Sequence, residues 1–118
     1  MKIREEIFDL AVSQAKKSTM RHRHGSVIWK SGKILGAGYN FALGASRRFS
    51  IHSEKDALKG LRFEQTHGAN LLCIRLTVSQ GLMASSCPCT GCTGLLKRRG
   101  LKSLFWFDSF GNLNRTLL

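Results

Sequence analysis

His52-Ser53-Glu54 and, later in the chain, Pro88-Cys89-Thr90-Gly91-Cys92 are the stretches around which this sequence is organised. Zinc is held by imidazole nitrogen and thiolate sulfur, and a zinc that takes part in chemistry keeps three protein ligands and leaves a fourth position to water. His52, Cys89 and Cys92 supply three such ligands. The spacing of His52 and Glu54 constrains the fold, because residues two apart do not share a helix face. Both can serve one site only from the first turn of a helix, where side chains reach past its end. Pro88 is placed to open another helix, where a missing backbone N–H costs nothing. Cys89 and Cys92 would then occupy that helix's first turn, whose partial positive charge favours the thiolate form that binds metal.

A chain of 118 residues has room for one core and is too short for two, so residues 1–118 are expected to form a single domain. No apolar run approaches the roughly 20 residues that span a bilayer. The longest candidate, Leu71-Leu72-Cys73-Ile74, ends at Arg75, so no membrane association is expected. Glu5, Glu6 and Asp9 suit neither a secretory signal nor an acid-poor transit peptide, and a cytoplasmic protein is the expectation. Four cysteines in such a chain favour metal binding or buried thiols over a disulfide framework. Cys73 lies in the apolar run and reads as a core residue, whereas Cys87 places a third sulfur beside the Cys89/Cys92 pair.

The formal net charge is +12, from 19 basic and 7 acidic residues. No acid occurs between Leu10 and Ser53, while Lys16, Lys17, Arg21, Arg23, Lys30, Lys33, Arg47 and Arg48 fall there. A field of this sign concentrates polyanions and can supply most of a nonspecific nucleic-acid affinity, although a merely soluble cationic surface has the same composition.

Ile3, Ile7, Leu10, Ala11 and Ala15 recur at helical spacing, which predicts a first helix over residues 2–17. Residues 26–29 and 33–39 read as two strands joined by a short turn at Ser31-Gly32. Arg21-His22-Arg23-His24 precedes the first strand as a loop whose histidines are solvated, with metal ligation as the other reading. Residues 40–51 read as a loop, and a second helix is expected from about His52 to about Gln65. Residues 71–79 alternate as a strand, the helix opened by Pro88 ends near Gly100, and residues 104–107 form a further strand. The tail from Asp108 turns at Gly111 and then has too little pattern to assign. This order points to an α/β protein with helices packed on a sheet and parallel pairing across its last units.

His-x-Glu followed by Pro-Cys-x-x-Cys is the signature of zinc nucleobase deaminases, in which the glutamate is the general acid/base and not a ligand. The sequence resembles the cytidine and deoxycytidylate deaminase superfamily. His52-Ser53-Glu54 is similar to its His-Ala-Glu, and Pro88-Cys89-Thr90-Gly91-Cys92 to its Pro-Cys-x-x-Cys. His24-Gly25-Ser26-Val27-Ile28 resembles its Gly-Ala-Val strand, and Gly38-Tyr39-Asn40 its Gly-Tyr-Asn. The resemblance extends over roughly residues 1–110. It implies a three-layer α-β-α fold with a mixed five-stranded sheet, Zn2+ as cofactor, a homo-oligomer, and Glu54 as proton shuttle in a hydrolytic deamination. By position it makes Asn40 and the backbone at Ser53 substrate contacts. The chain departs from the family pattern at Ser53, at Cys87 before the proline, at Asp56 where many deoxycytidylate deaminases have asparagine, and in its short C-terminus.

On this reading the substrate is a free cytosine nucleoside or nucleotide such as deoxycytidylate. The alternative is cytosine or adenine in single-stranded DNA or RNA, with Arg47, Arg48 and Phe49 ahead of His52 as strand contacts and Phe49 stacking on an unpaired base. A further alternative, a non-catalytic zinc-stabilised nucleic-acid-binding module, would use Cys87 as a fourth ligand to close the coordination sphere.

Overall fold

A computed structural model describes residues 3–43, 50–77, 83–84, 86 and 90–118. Helix α1 (Glu5–Lys17) leads into the strands β1 (Arg23–Lys30) and β2 (Lys33–Tyr39) and a two-residue ribbon, β3 (Phe41–Ala42) with β4 (Ser50–Ile51). Two short helices follow, α2 (Ser53–Leu58) and α3 (Phe63–Thr66), and then β5 (Asn70–Leu76) and β6 (Met83–Ala84). Helix α4 (Thr90–Arg98), β7 (Ser103–Phe107) and β8 (Leu113–Leu117) complete the order.

The main sheet runs β2-β1-β5-β7-β8 and is mixed: β5 and β7 are parallel, and the other neighbours on this path are antiparallel. The parallel pair needs a crossover connection, which α4 supplies. β6 pairs with β5 at Arg75 and Leu76, beyond the residues where β7 lies alongside. Strand alternation sends Val27, Leu72, Ile74 and Leu76 to one face, where they pack on Ile7, Ala11 and Ala15 of α1. Ile28, Leu71, Cys73 and Leu104 form the opposite core with Ala57 and Leu58 of α2 and Leu96 of α4. The result is the three-layer α-β-α arrangement with a five-strand backbone that the sequence led us to expect.

Several boundaries differ from the periodicity reading. Helix α1 begins at Glu5 rather than residue 2, because Arg4 is extended and its guanidinium donates to the Gly32 carbonyl at 2.7 Å. Arg23 and His24 are not loop residues: they extend β1, pairing with Leu76 and Arg75 of β5. Residues 40–51 are not wholly loop, since β3 and β4 lie within them. The single second helix is two, because the chain turns at Gly60, whose φ of 78° favours glycine, and restarts after Arg62. The unassigned tail contains β8, antiparallel to β7. Ser31 and Gly32 both have positive φ, 50° and 77°, as the expected tight hairpin requires. Among the described residues no helix is long and apolar enough to cross a membrane.

Candidate metal centre

The centre is built at the start of α2. His52 is the residue before the helix, in extended conformation (φ −74°, ψ 153°), and its carbonyl accepts the Asp56 N–H at 3.0 Å. Ser53 and Glu54 therefore occupy the first two helical positions, which is the placement that lets a histidine and a glutamate two apart serve one site. Helix α2 can lie this close to the sheet because β2 carries glycines beneath it. A Cβ at Gly36 would stand 2.3 Å from the Ala57 carbonyl oxygen, and one at Gly38 would stand 2.5 Å from the Ala57 nitrogen.

Cys92 comes from the first turn of α4, 40 residues further on, and its Sγ lies 3.1 Å from His52 Nδ1. One potential ligand atom from each of His52, Glu54 and Cys92 falls within 4.8 Å of the other two. His52 is exposed, while Glu54 is 5% and Cys92 7% exposed. An imidazole nitrogen and a cysteine sulfur converging beside a buried carboxylate form a donor set that fits zinc. Cys87, Pro88 and Cys89 lie outside the described residues, as do Arg47, Arg48 and Phe49.

Behind the carboxylate stands a buried polar group that motif reading missed. Ser53 Oγ donates to Glu54 Oε1 at 2.7 Å and meets Ser26 Oγ at 2.8 Å. The Cys73 thiol lies 3.8 Å from the same Glu54 oxygen and 3.9 Å from His24 Nδ1. Burial, reinforced by the Glu54 carboxylate, pushes the Cys73 thiol well above its ordinary pKa, so it remains an S–H group. Cys73 is thus the core residue expected from its apolar run, and it also touches the site. Burial pushes His24 below its ordinary value against the upward pull of Glu54, and Arg75, His22 and His52 lower it further. The legible signal for this cluster was a pair of serines, Ser26 and Ser53, standing where the family resemblance has alanines.

The Asn40 amide is committed to the start of β1. Its Oδ1 accepts the His24 N–H at 2.8 Å, and its Nδ2 donates to the His22 carbonyl at 2.6 Å and approaches Met20 Sδ at 3.5 Å. Asp56, another of the departures from the family pattern, accepts the Tyr39 N–H at 3.1 Å and so ties α2 to the end of β2. Arg75 places one terminal nitrogen 2.7 Å from His22 Nδ1, and its buried Nε has no hydrogen-bond partner among the described residues.

The family profile for the cytidine and deoxycytidylate deaminase zinc-binding region matches residues 1–107. A comparison with curated protein sequences gives no match. Among solved structures, the fold is similar to a cytidine deaminase from Burkholderia pseudomallei, with 15% identity, a TM-score of 0.72, and 98% of this chain and 93% of that one covered. It is also similar to the dCMP deaminase of cyanophage S-TIM5 in its apo form, at 20% identity and TM-score 0.59, over 90% of this chain and 86% of that one. The same phage enzyme in complex with dCMP and dUMP aligns at 19% identity and TM-score 0.54, over 87% and 82% of the two chains. At these identities the likeness speaks for the fold, and the profile match speaks for descent: the chain belongs to the cytidine and deoxycytidylate deaminase family, a family of zinc-dependent hydrolases.

Proposed function

We propose that this protein hydrolytically deaminates cytosine to uracil in a free nucleoside or nucleotide such as deoxycytidylate, with His52, Cys89 and Cys92 as zinc ligands and Glu54 as proton shuttle. The observation that carries the reading is the buried Glu54 carboxylate beside His52 and Cys92, with ligand atoms of all three within 4.8 Å. Zinc held there would supply a Lewis acid that lowers the pKa of water to about 7. The chain's own residues handle the protons. Glu54 accepts a proton from the attacking water, delivers it to the ring nitrogen, and assists the departure of the exocyclic amine as ammonia. His52 and Cys92 fix the position of the attack relative to that carboxylate.

A second reading, deamination within single-stranded DNA or RNA, is favoured by the net charge of +12 and by exposed Lys16, Lys17, Arg21 and Lys33 in the acid-free stretch. Arg47, Arg48 and Phe49 belong to that reading as strand contacts.

The test is ammonia release by the zinc-loaded protein at low salt from deoxycytidylate, cytidine, single-stranded DNA and single-stranded RNA, repeated with Glu54→Gln. Turnover of the monomers is expected, and Glu54→Gln is expected to lose a factor of at least about 100 to 10,000 while retaining zinc. Turnover confined to polymers, falling steeply with added salt, supports the second reading. Near wild-type turnover by Glu54→Gln removes Glu54 from the chemistry.

A further inference from the structure

We propose that Ser53 and Ser26 are positioning residues that clamp Oε1 of the Glu54 carboxylate, leaving Oε2 as the oxygen that carries the proton. The inference rests on the reading of Glu54 as proton shuttle and adds to it how that side chain is held. A serine hydroxyl has one hydrogen to give. Ser53 gives it to Glu54 Oε1 at 2.7 Å, so the 2.8 Å contact with Ser26 is filled by the Ser26 hydrogen. The result is a directed chain from Ser26 through Ser53 to the carboxylate. Both serines have 0% exposure, so water does not compete for these bonds. Cys73, held as a thiol, faces the same oxygen at 3.8 Å. Oε1 therefore has the Ser53 hydroxyl as donor and the Cys73 sulfur beside it, whereas Oε2 has no protein partner among the described residues.

The anchor of this chain lies outside the helix. Ser53 is adjacent to Glu54 on α2 and would by itself move with the helix start. Ser26 sits on β1 and pairs directly across from Cys73 of β5, so the clamp refers the carboxylate to the centre of the sheet. The family resemblance places alanine at both serine positions, and alanine can make neither bond. The two hydroxyls face each other at 2.8 Å.

The experiment compares Ser53→Ala, Ser26→Ala and the double variant in zinc-loaded protein, using whichever substrate the wild type turns over. Misplacing a reacting group by a fraction of an ångström to one ångström lowers rates by up to about 100-fold, so kcat of Ser53→Ala should fall by about 10- to 100-fold. Its KM should stay within about twofold and its zinc content should be unchanged. Because Ser26 acts through Ser53, the double variant should be no slower than Ser53→Ala, a non-additivity that independent structural damage does not produce. The double variant also leaves neither hydroxyl without its partner, which guards against a variant that merely misfolds. A crystal structure of Ser53→Ala should show the Glu54 carboxylate in more than one rotamer. One unchanged rotamer overturns the clamp, and a mobile carboxylate with unchanged kcat, or additive losses, overturns its role in turnover. If the wild type releases ammonia from nothing, the deaminase reading fails while the rotamer comparison still decides the clamp.

Discussion

His24 shows how one side chain reports on the whole centre. It begins as a residue of an Arg-His-Arg-His run and ends half-buried on β1, 3.9 Å from the Cys73 sulfur. Burial disfavours its charged form and holds its pKa below the ordinary 6.5. The unfolded chain therefore binds more protons than the folded one just below pH 6.5, and folding stability must rise with pH there. Above that pH the contribution is constant; on acidification it is lost progressively until the folded group also protonates. Urea unfolding midpoints measured from pH 8 to 5 should fall for the wild type, and the fall should be shallower in His24→Gln. Equal slopes in the two proteins would show that His24 is not the buried neutral group described here.

At the scale of elements, the short distance between β2 and α2 decides where the centre forms. Gly38→Ala would put a Cβ 2.5 Å from the Ala57 nitrogen and 2.8 Å from the Asp56 carbonyl carbon, both backbone atoms that cannot yield without moving the helix. Such overpacking costs about 1–3 kcal/mol, and here it also shifts the helix start that presents His52 and Glu54. Gly38→Ala should therefore lower both the denaturation midpoint and zinc affinity, whereas Gly91→Ala, whose new Cβ meets no atom within 4 Å among the described residues beyond its own helix backbone and chain neighbours, should leave the midpoint nearly unchanged. The C-terminal hairpin was the element least visible in the sequence. Its turn is organised by Asp108, whose Oδ1 accepts the N–H groups of Phe110 and Asn112, each at 2.9 Å. Leu113 and Thr116 are half-buried and Arg115 and Leu117 exposed, so β8 lacks the apolar alternation that marks a strand covered on one face. The second helix was overextended for a related reason: apolar residues at Ala57, Leu58 and Leu61 keep helical spacing across a turn that only Gly60 betrays.

Across the whole molecule, a metal at the centre would join two helices that share one face of the sheet. His52 precedes α2, and Cys92 lies in α4. A ligand that binds only the folded state stabilises it by about 2.7 kcal/mol at 100 times its dissociation constant. Removing zinc with a chelator should lower the melting temperature, and returning it should restore the loss. Cys92→Ser should remove most of this response while leaving the melting temperature of metal-free protein close to that of the metal-free wild type. A response to zinc undiminished in Cys92→Ser would move the metal away from the start of α4.

The sequence by itself determined the elements that are locally encoded. Helix α1, the Ser31-Gly32 hairpin, the β5 and β7 strands and the presence of His52, Glu54 and Cys92 at helix starts follow from spacing within one segment, where neighbours in sequence are neighbours in space. Only the tertiary structure decided what surrounds Glu54. Ser26, Cys73 and His24 come from strands 19 to 30 residues away, and the β1–β5 register that sets Ser26 against Cys73 depends on pairing between separate segments. The glycines under α2 then bring that pair within hydrogen-bond reach of the helix start. No periodicity within a single segment encodes either distance, because both are set by how closely backbones from different elements can approach.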